Sequence, residues 1–217
     1  MKVLITGTTK GIGQAIAKKF LACGHTVIGL DILPSSIEDK NYTHYISDVR
    51  NKESLPKIDD VEILVNNAGV QDNDENAINV NLLGLINTTK AYGYQKNIKA
   101  IVNIASASGS TGSEFPYYVA SKGGVIAFTK NTALEIAKYG ATCNSISPGG
   151  VITSSNDHIL KDNKKYQEVL NETVLNKWAN LDEIAEFVYF VAVINKSMTG
   201  QDLLIDNGEA LKSNFVW

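Results

Sequence analysis

Cysteine and proline are scarce in this chain of 217 residues, which holds two Cys and four Pro. Cys23 and Cys143 form no Cys-x-x-Cys pair and have no histidine at ligand spacing, so the sequence offers neither a disulfide framework nor a metal site. Both lie in apolar stretches and read as buried thiols in a reducing compartment. With so little proline, and no low-complexity segment or repeat, nothing marks a linker, and residues 1–217 are expected to form a single domain. A dominant charge is missing too. Lys and Arg total 20 against 23 Asp and Glu, a net −3, without the basic excess of a nucleic-acid binder. Long hydrophobic runs are absent. The longest, from Phe187 to Ile194, falls far short of the ~20 residues of a membrane span. Lys2 and the apolar residues after it begin like a leader, but Thr6 and Gly7 interrupt the run too early. These absences predict a cytoplasmic protein without nucleic-acid or membrane partners.

What is present is 44% hydrophobic residues, distributed as short apolar runs between helical patterns. Strands are expected at Lys2–Thr6, Thr26–Asp31, Thr43–Ile46, Val61–Asn66, Lys99–Ala105, Thr142–Ser147 and Asp202–Ile205. Helices are expected at Gly11–Ala22, Glu75–Tyr94, Phe115–Tyr139 and Leu181–Ile194. Apolar strands alternating with helices predict an α/β fold, a doubly wound parallel sheet with helices on both faces. Ligands of such sheets sit at the carboxyl ends of the strands, so the turns just after each strand are the places to look for chemistry.

After the first strand come Thr6-Gly7-Thr8-Thr9-Lys10-Gly11-Ile12-Gly13. Glycines let the backbone turn sharply and approach a pyrophosphate, and the N-terminus of the following helix favours an anion. By itself this is also what a tight strand-to-helix turn requires. Tyr-x-x-x-Lys occurs twice, at Tyr92/Lys96 and Tyr118/Lys122; with nine Tyr in the chain, roughly one match is expected by chance. The first copy ends a helical pattern with nothing chemical upstream and reads as surface. In the second, helical spacing puts Tyr118 and Lys122 on one face. A free phenol has a pKa of ~10, and a neighbouring ammonium is expected to lower it toward the working range of an acid/base catalyst.

The turn TGxxxGIG, Asn66-Asn67-Ala68-Gly69, and Tyr118-Val119-Ala120-Ser121-Lys122 preceded by Ser106 together resemble the short-chain dehydrogenase/reductase family, over the whole chain. The resemblance implies a Rossmann-like fold and an NAD(P)-dependent oxidoreductase that interconverts an alcohol and a ketone or aldehyde. It implies that Tyr118 exchanges a proton with the substrate oxygen, Ser106 donates a hydrogen bond to that oxygen, Lys122 holds the nicotinamide ribose, and Asn81 supports a proton relay to the lysine. Ser108 and Ser110 compete with Ser106 for its role, which strand-end position and family spacing favour. For the cofactor it implies contacts from Gly7, Thr9, Lys10, Gly11, Ile12 and Gly13, from Asp48 and Val49 at the adenine, from Asn67, Ala68 and Gly69, from Tyr118 and Lys122, and from Pro148, Gly149, Val151 and Thr153 around the carboxamide. No metal is implied.

Asp31 ends the second strand, where a carboxylate accepts the ribose hydroxyls of NAD and repels a 2′-phosphate. It also reads as a capped turn. Lys10 matches a basic residue common in NADP-preferring members. NAD is therefore the expected cofactor, with NADP open. Near the end, Thr199-Gly200-Gln201 to Gly208 resembles a family segment often found near a subunit contact, which implies a homodimer or homotetramer.

The chain departs from the pattern by shortening. Between Asp31 and Asp48 a helix is expected to shrink to a loop through Pro34. Between Gly69 and Asn81 the polar stretch from Val70 to Glu75 is too short for a full extra helix and should open one side of the substrate cleft. Residues 154–174 read as a polar lid in which His158 is a surface residue. A small alcohol or ketone is the expected substrate. The alternatives are an NADPH-linked 3-oxoacyl-carrier reductase and a non-catalytic dinucleotide-binding scaffold or sensor. The intact Tyr and Lys argue against the last, and Asp31 and the acidic stretch from Asp72 to Glu75 against the first.

Overall fold

Seven short segments run parallel to one another in the computed structural model, which describes residues 1–211. They are β1 (Lys2–Thr6), β2 (Thr26–Asp31), β3 (Tyr42–Ile46), β4 (Ile63–Asn66), β5 (Ala100–Ile104), β6 (Thr142–Pro148) and β7 (Asp202–Ile205). Their order across the sheet is β3-β2-β1-β4-β5-β6-β7, and every neighbouring pair is parallel. Val3, Leu4 and Ile5 of β1 and Ile63, Leu64 and Val65 of β4 have no exposed surface, as expected when both faces are covered.

Alternate side chains feed two separate cores. On one face Val3, Ile5, Val27, Val65 and Val102 meet α1 (Gly11–Ala22) through Ile16, Ala17 and Phe20, and α7 (Leu181–Tyr189) through Ile184, Ala185 and Val188. A capping box between Asn180 and Glu183 starts α7. On the other face Leu4, Leu64, Ile101 and Cys143 meet Tyr92 of α2 (residues 75–93) and Ala133 and Ile136 of α4 (Pro116–Ile136). Between β5 and α4 lies the short α3 (Ser108–Thr111), and after β6 come α5 (Asp157–Leu160) and α6 (Asn163–Leu170). The doubly wound, Rossmann-like fold is thus present.

Several details differ from expectation. Cys143 is buried but Cys23, just past the end of α1, is exposed. β4 begins at Ile63 rather than Val61, because the Val61 N–H is taken by the Gln95 side chain at 3.0 Å instead of a strand. The helix expected at Glu75–Tyr94 is continuous to Gly93 but is not regular. It is wound as a π-helix at Ile78–Gly84 and Thr89–Gly93, the stretches that carry Asn81 and Thr89, whose side chains are bonded sideways to other elements. The last turns of α7 likewise open into a π-helix at Phe190–Ile194. No helix forms between β2 and β3, as the short spacing predicts. Among the described residues, no helix is long and apolar enough to cross a membrane.

From β1 the chain winds toward β3, then returns to place β4 on the other side of β1. The turns after β1 and β4 diverge at their carboxyl ends, which creates the crevice where doubly wound sheets bind ligands.

Candidate active site

The floor of the crevice is two corners laced together. Gly7 has φ +74°, and a Cβ there would lie 2.8 Å from Asn67 Nδ2 and 2.9 Å from the Ala68 Cα. A Cβ at Gly13 would overlap the Gly7 carbonyl oxygen. The Thr6 hydroxyl accepts from the backbone N–H groups of Asn67 and Ala68 at 3.0 and 2.9 Å. Asn67 Nδ2 donates to the carbonyls of Thr6 and Gly7 at 3.0 and 3.1 Å. Asn67 therefore shapes the glycine turn with its side chain. Its buried neighbour Asn66 ties β4 to Asn103 of β5 and to Thr88 and Thr89 of α2.

Above this floor α1 starts without a cap. Lys10 gives no side-chain acceptor, and the first turn has no acidic residue. The free N–H groups at that end are suited to an anion. Asp31 lies beside the turn. Its carboxylate accepts from the N–H of Thr9 at 2.9 Å and of Leu33 at 3.0 Å, so it is a turn cap while keeping further acceptor capacity. The glycine cradle, the uncapped helix and this carboxylate fit the pyrophosphate and ribose of a dinucleotide. Asp48 and Val49 follow β3. Both Asp48 oxygens are held by Arg50, which keeps its carboxyl below the usual carboxylate range.

The reacting residues lie at the carboxyl end of β5. Ser106 follows that strand and is buried. Its Oγ accepts from the Ser108 N–H and is 3.2 Å from Ser108 Oγ. Of the two competitors, Ser108 is thus in contact with Ser106, whereas Ser110 donates to Asp202 at 3.4 Å. Tyr118 lies one turn into α4, which Pro116 opens. Lys122 Nζ is 5.7 Å from the Tyr118 ring centroid and donates to the Ile104 carbonyl at 2.9 Å.

Burial dominates both titrations. It pushes the Tyr118 phenol up to about 12, against a lowering bond from Ser106, and pulls the Lys122 ammonium down to about 8. The expectation that the ammonium lowers the tyrosine does not hold here. Desolvation by burial outweighs the one lowering contribution, the bond from Ser106.

Asn81, buried in the π-wound part of α2, grips the chain beyond Gly69. Its Oδ1 accepts from the Val70 N–H at 2.8 Å, and its Nδ2 donates to the Val70 carbonyl at 2.9 Å and to Ser121 Oγ at 3.0 Å. Ser121 in turn donates to the Tyr118 carbonyl at 2.7 Å. A Cβ at Gly69 would lie 3.1 Å from Asn81 Oδ1 and 3.6 Å from Lys122 Nζ, so glycine there brings these groups to one corner. Ser121 stands inside the Tyr-to-Lys stretch, where the sequence pattern by itself gives it no such role.

Pro148 ends β6, and beyond it Gly150 lies against Trp178, whose indole a Cβ at Gly150 would overlap. Val151 forms a parallel bridge with Ala179. Thr153 precedes the short helical turn Ser154–Asn156. Nothing in the sequence pattern flagged Trp178, or Glu209, whose Oε2 accepts from the Gly150 N–H at 3.3 Å. The 154–174 segment carries α5 and α6, with Tyr166 edge-on to Trp178 at 6.1 Å. His158 is exposed, as read from the sequence.

A family model described as enoyl-(acyl carrier protein) reductase matches residues 7–209. The chain is 32% identical to a 3-oxoacyl-[acyl-carrier-protein] reductase FabG of Haemophilus influenzae, over 94% of this chain and 96% of that protein. It is similar in structure to 4-hydroxyisoleucine dehydrogenase complexed with NADH, with TM-score 0.87, 28% identity, and coverage of 98% of this chain and 99% of the other. It is also similar to ElxO with NADP bound, with TM-score 0.86, 27% identity, and coverage of 97% and 99%. With its parallel sheet and glycine cradle, the chain belongs to the short-chain dehydrogenase/reductase family of NAD(P)-binding oxidoreductases acting on CH–OH groups.

Proposed function

We propose that the protein interconverts a small alcohol and its ketone or aldehyde with NAD as the preferred cofactor. The observation that carries this is the meeting of Ser106, Tyr118 and Lys122 at one strand end, beside the Gly69 corner that Asn81 holds. The nicotinamide supplies or accepts the hydride. The protein binds, orients and moves a proton. Tyr118, with its phenol at about 12, keeps its proton at neutral pH and can deliver it from Oη to the oxygen of a carbonyl being reduced. Ser106 Oγ holds that oxygen in place. Lys122 holds the ribose and the proton path behind Tyr118, and Asn81 fixes the corner on which that path lies.

Gly7, Thr9, Lys10, Gly11, Ile12 and Gly13 receive the pyrophosphate. Asp31 accepts the ribose hydroxyls, and Asp48 and Val49 border the adenine. Asn67, Ala68 and Gly69 line the middle of the site, and Pro148, Gly149, Val151 and Thr153 the carboxamide. Residues 1–217 act as one domain in the cytoplasm, as a homodimer or homotetramer. Exposed apolar side chains on α4 (Leu134, 79% exposed) and around α7 and β7 (Phe190, Ile194 and Leu204) support self-association.

A second reading is an NADPH-linked 3-oxoacyl-carrier reductase. It is favoured by the Haemophilus relative and by Lys10 beside the glycine turn. Thermal unfolding with NAD(H) and NADP(H) in parallel separates the two. A ligand at 100 times its dissociation constant adds ~2.7 kcal/mol, which raises Tm by roughly 5–10 °C at this size. A shift with NAD(H) alone is the expected result. A shift with NADP(H) alone favours the carrier reductase, and no shift with either overturns the dinucleotide site.

A further inference from the structure

The turn after β3 is fastened more heavily than its place on the surface requires. Arg50 is the only arginine in the chain. Its backbone N–H donates to Asp48 Oδ1 at 2.9 Å, its Nε lies 3.0 Å from both carboxylate oxygens, and its Nη2 is 2.6 Å from Oδ2. An exposed ion pair of this kind adds little stability. The guanidinium also reaches outward. Nη1 donates to Asn76 Oδ1 at 2.9 Å, and Asn76 Nδ2 donates to Asp72 Oδ2 at 2.6 Å. Beside it, Gly84 admits Val49, whose Cγ2 would be 2.5 Å from a Cβ at that position. Asn87 Nδ2 donates to the carbonyls of Val49 and Arg50 at 3.1 and 3.3 Å. The turn is thus held to α2 near its start, at its middle and beyond it. That helix carries Asn81, the clamp on Val70 and Ser121.

We propose that Arg50 is a positioning residue that couples the adenine end of the cofactor site to residues 70–76, the segment leading from the Gly69 corner into α2, so that filling the adenine end orders the substrate side. The fork is essential to this arrangement. One nitrogen pair grips Asp48 while Nη1 holds Asn76, a geometry a lysine ammonium does not reproduce. The proposal rests on the dinucleotide reading above. It goes further in making the binding of one half of the cofactor felt at the loop that receives the substrate.

The test uses ADP-ribose, which has the adenine half and no nicotinamide, and amide hydrogen exchange of the full chain. In the wild type, ADP-ribose should slow exchange across residues 70–76, the Val70 amide included, by about fivefold or more, the usual floor of a coupling between sites. Arg50→Gln, Arg50→Lys and Asn76→Ala should each lose that slowing while still binding ADP-ribose. Arg50 is exposed and Asn76 half-buried, and Asn76→Ala tests the same tie without touching Asp48. The affinity for nicotinamide mononucleotide, which lacks the adenine, should be unchanged in all three. Equal protection in wild type and variants overturns the coupling, as does binding to the wild type with no protection of 70–76. Failure of the wild type to bind ADP-ribose at all overturns the dinucleotide reading instead.

Discussion

The chain contains the pattern Tyr-x-x-x-Lys twice, and the two copies meet opposite fates. Tyr118 and Lys122 stand in the first turns of α4, at the carboxyl end of β5, with both side chains turned to one corner. Tyr92 stands one residue before the end of α2. It is not the surface residue its sequence context suggests. Only 2% exposed, it packs with Leu4, Leu64 and Ile101, and its hydroxyl donates to the Pro56 carbonyl at 2.8 Å. The helix stops at Gly93, Tyr94 leaves helical geometry, and Lys96 is exposed beyond it. Both phenols are pushed up to about 12 by burial. A perturbed tyrosine therefore does not mark the site. What separates the copies is the lysine, buried and pulled to about 8 in one case and solvated in the other, and the helix that does or does not continue between the two residues.

The largest expected difference is in turnover. Tyr118→Phe should lower kcat by about 10²- to 10⁴-fold, the usual worth of a positioned acid/base, with cofactor binding retained. Tyr92→Phe should leave kcat within about twofold. Steady-state rates with the preferred nicotinamide cofactor read both, and a comparable loss in the two variants would break the comparison.

The lysines sharpen it through stability. Below pH 8 the folded protein must keep the Lys122 ammonium charged in a dry corner, a cost that vanishes when the side chain is neutral in both states. The folded pKa near 8 lies under the unfolded one near 10.4. Between these values the unfolded chain binds more protons, so this group makes stability rise with pH. Measured by denaturant melts from pH 7.5 to 10, wild type should gain of order 2 kcal/mol relative to Lys122→Met. Lys96→Met should track the wild type throughout, because it leaves Lys122 in place and removes only an exposed side chain.

Much of this was legible in the chain because parallel strands covered on both faces are short apolar runs, and because ligand turns follow strands. Gly7 and Gly13 are legible as turn positions, and the structure packs each of them against backbone. The rest depends on contacts far apart in sequence. The Thr6 hydroxyl that braces Asn67 and Ala68 looks like one more strand residue. Trp178 over Gly150 and Glu209 beneath it come from segments whose placement only the tertiary fold determines. The π-wound stretches of α2 have the same apolar spacing as an ordinary helix, so periodicity misses them. Cys23 lies in an apolar stretch but past the last turn of α1, where that stretch no longer faces the core.

The smallest expected effect concerns Tyr92 itself. If its hydroxyl serves the fold, removing it should cost stability in proportion to one buried hydrogen bond, because Phe fills the same space among Leu4, Leu64 and Ile101 while leaving the Pro56 carbonyl without this donor. The penalty should be about 1 kcal/mol, or roughly 2–4 °C in Tm for a chain of this size. Tyr118→Phe removes a hydroxyl from a site that opens toward ligand, where its bond to Ser106 opposes the desolvation that raises its pKa, so its Tm should move by less than that of Tyr92→Phe. Parallel melts of the two variants at pH 7 decide the matter. A larger drop for Tyr118→Phe would make that hydroxyl a structural group, and the division of labour between the two copies would then rest on turnover alone.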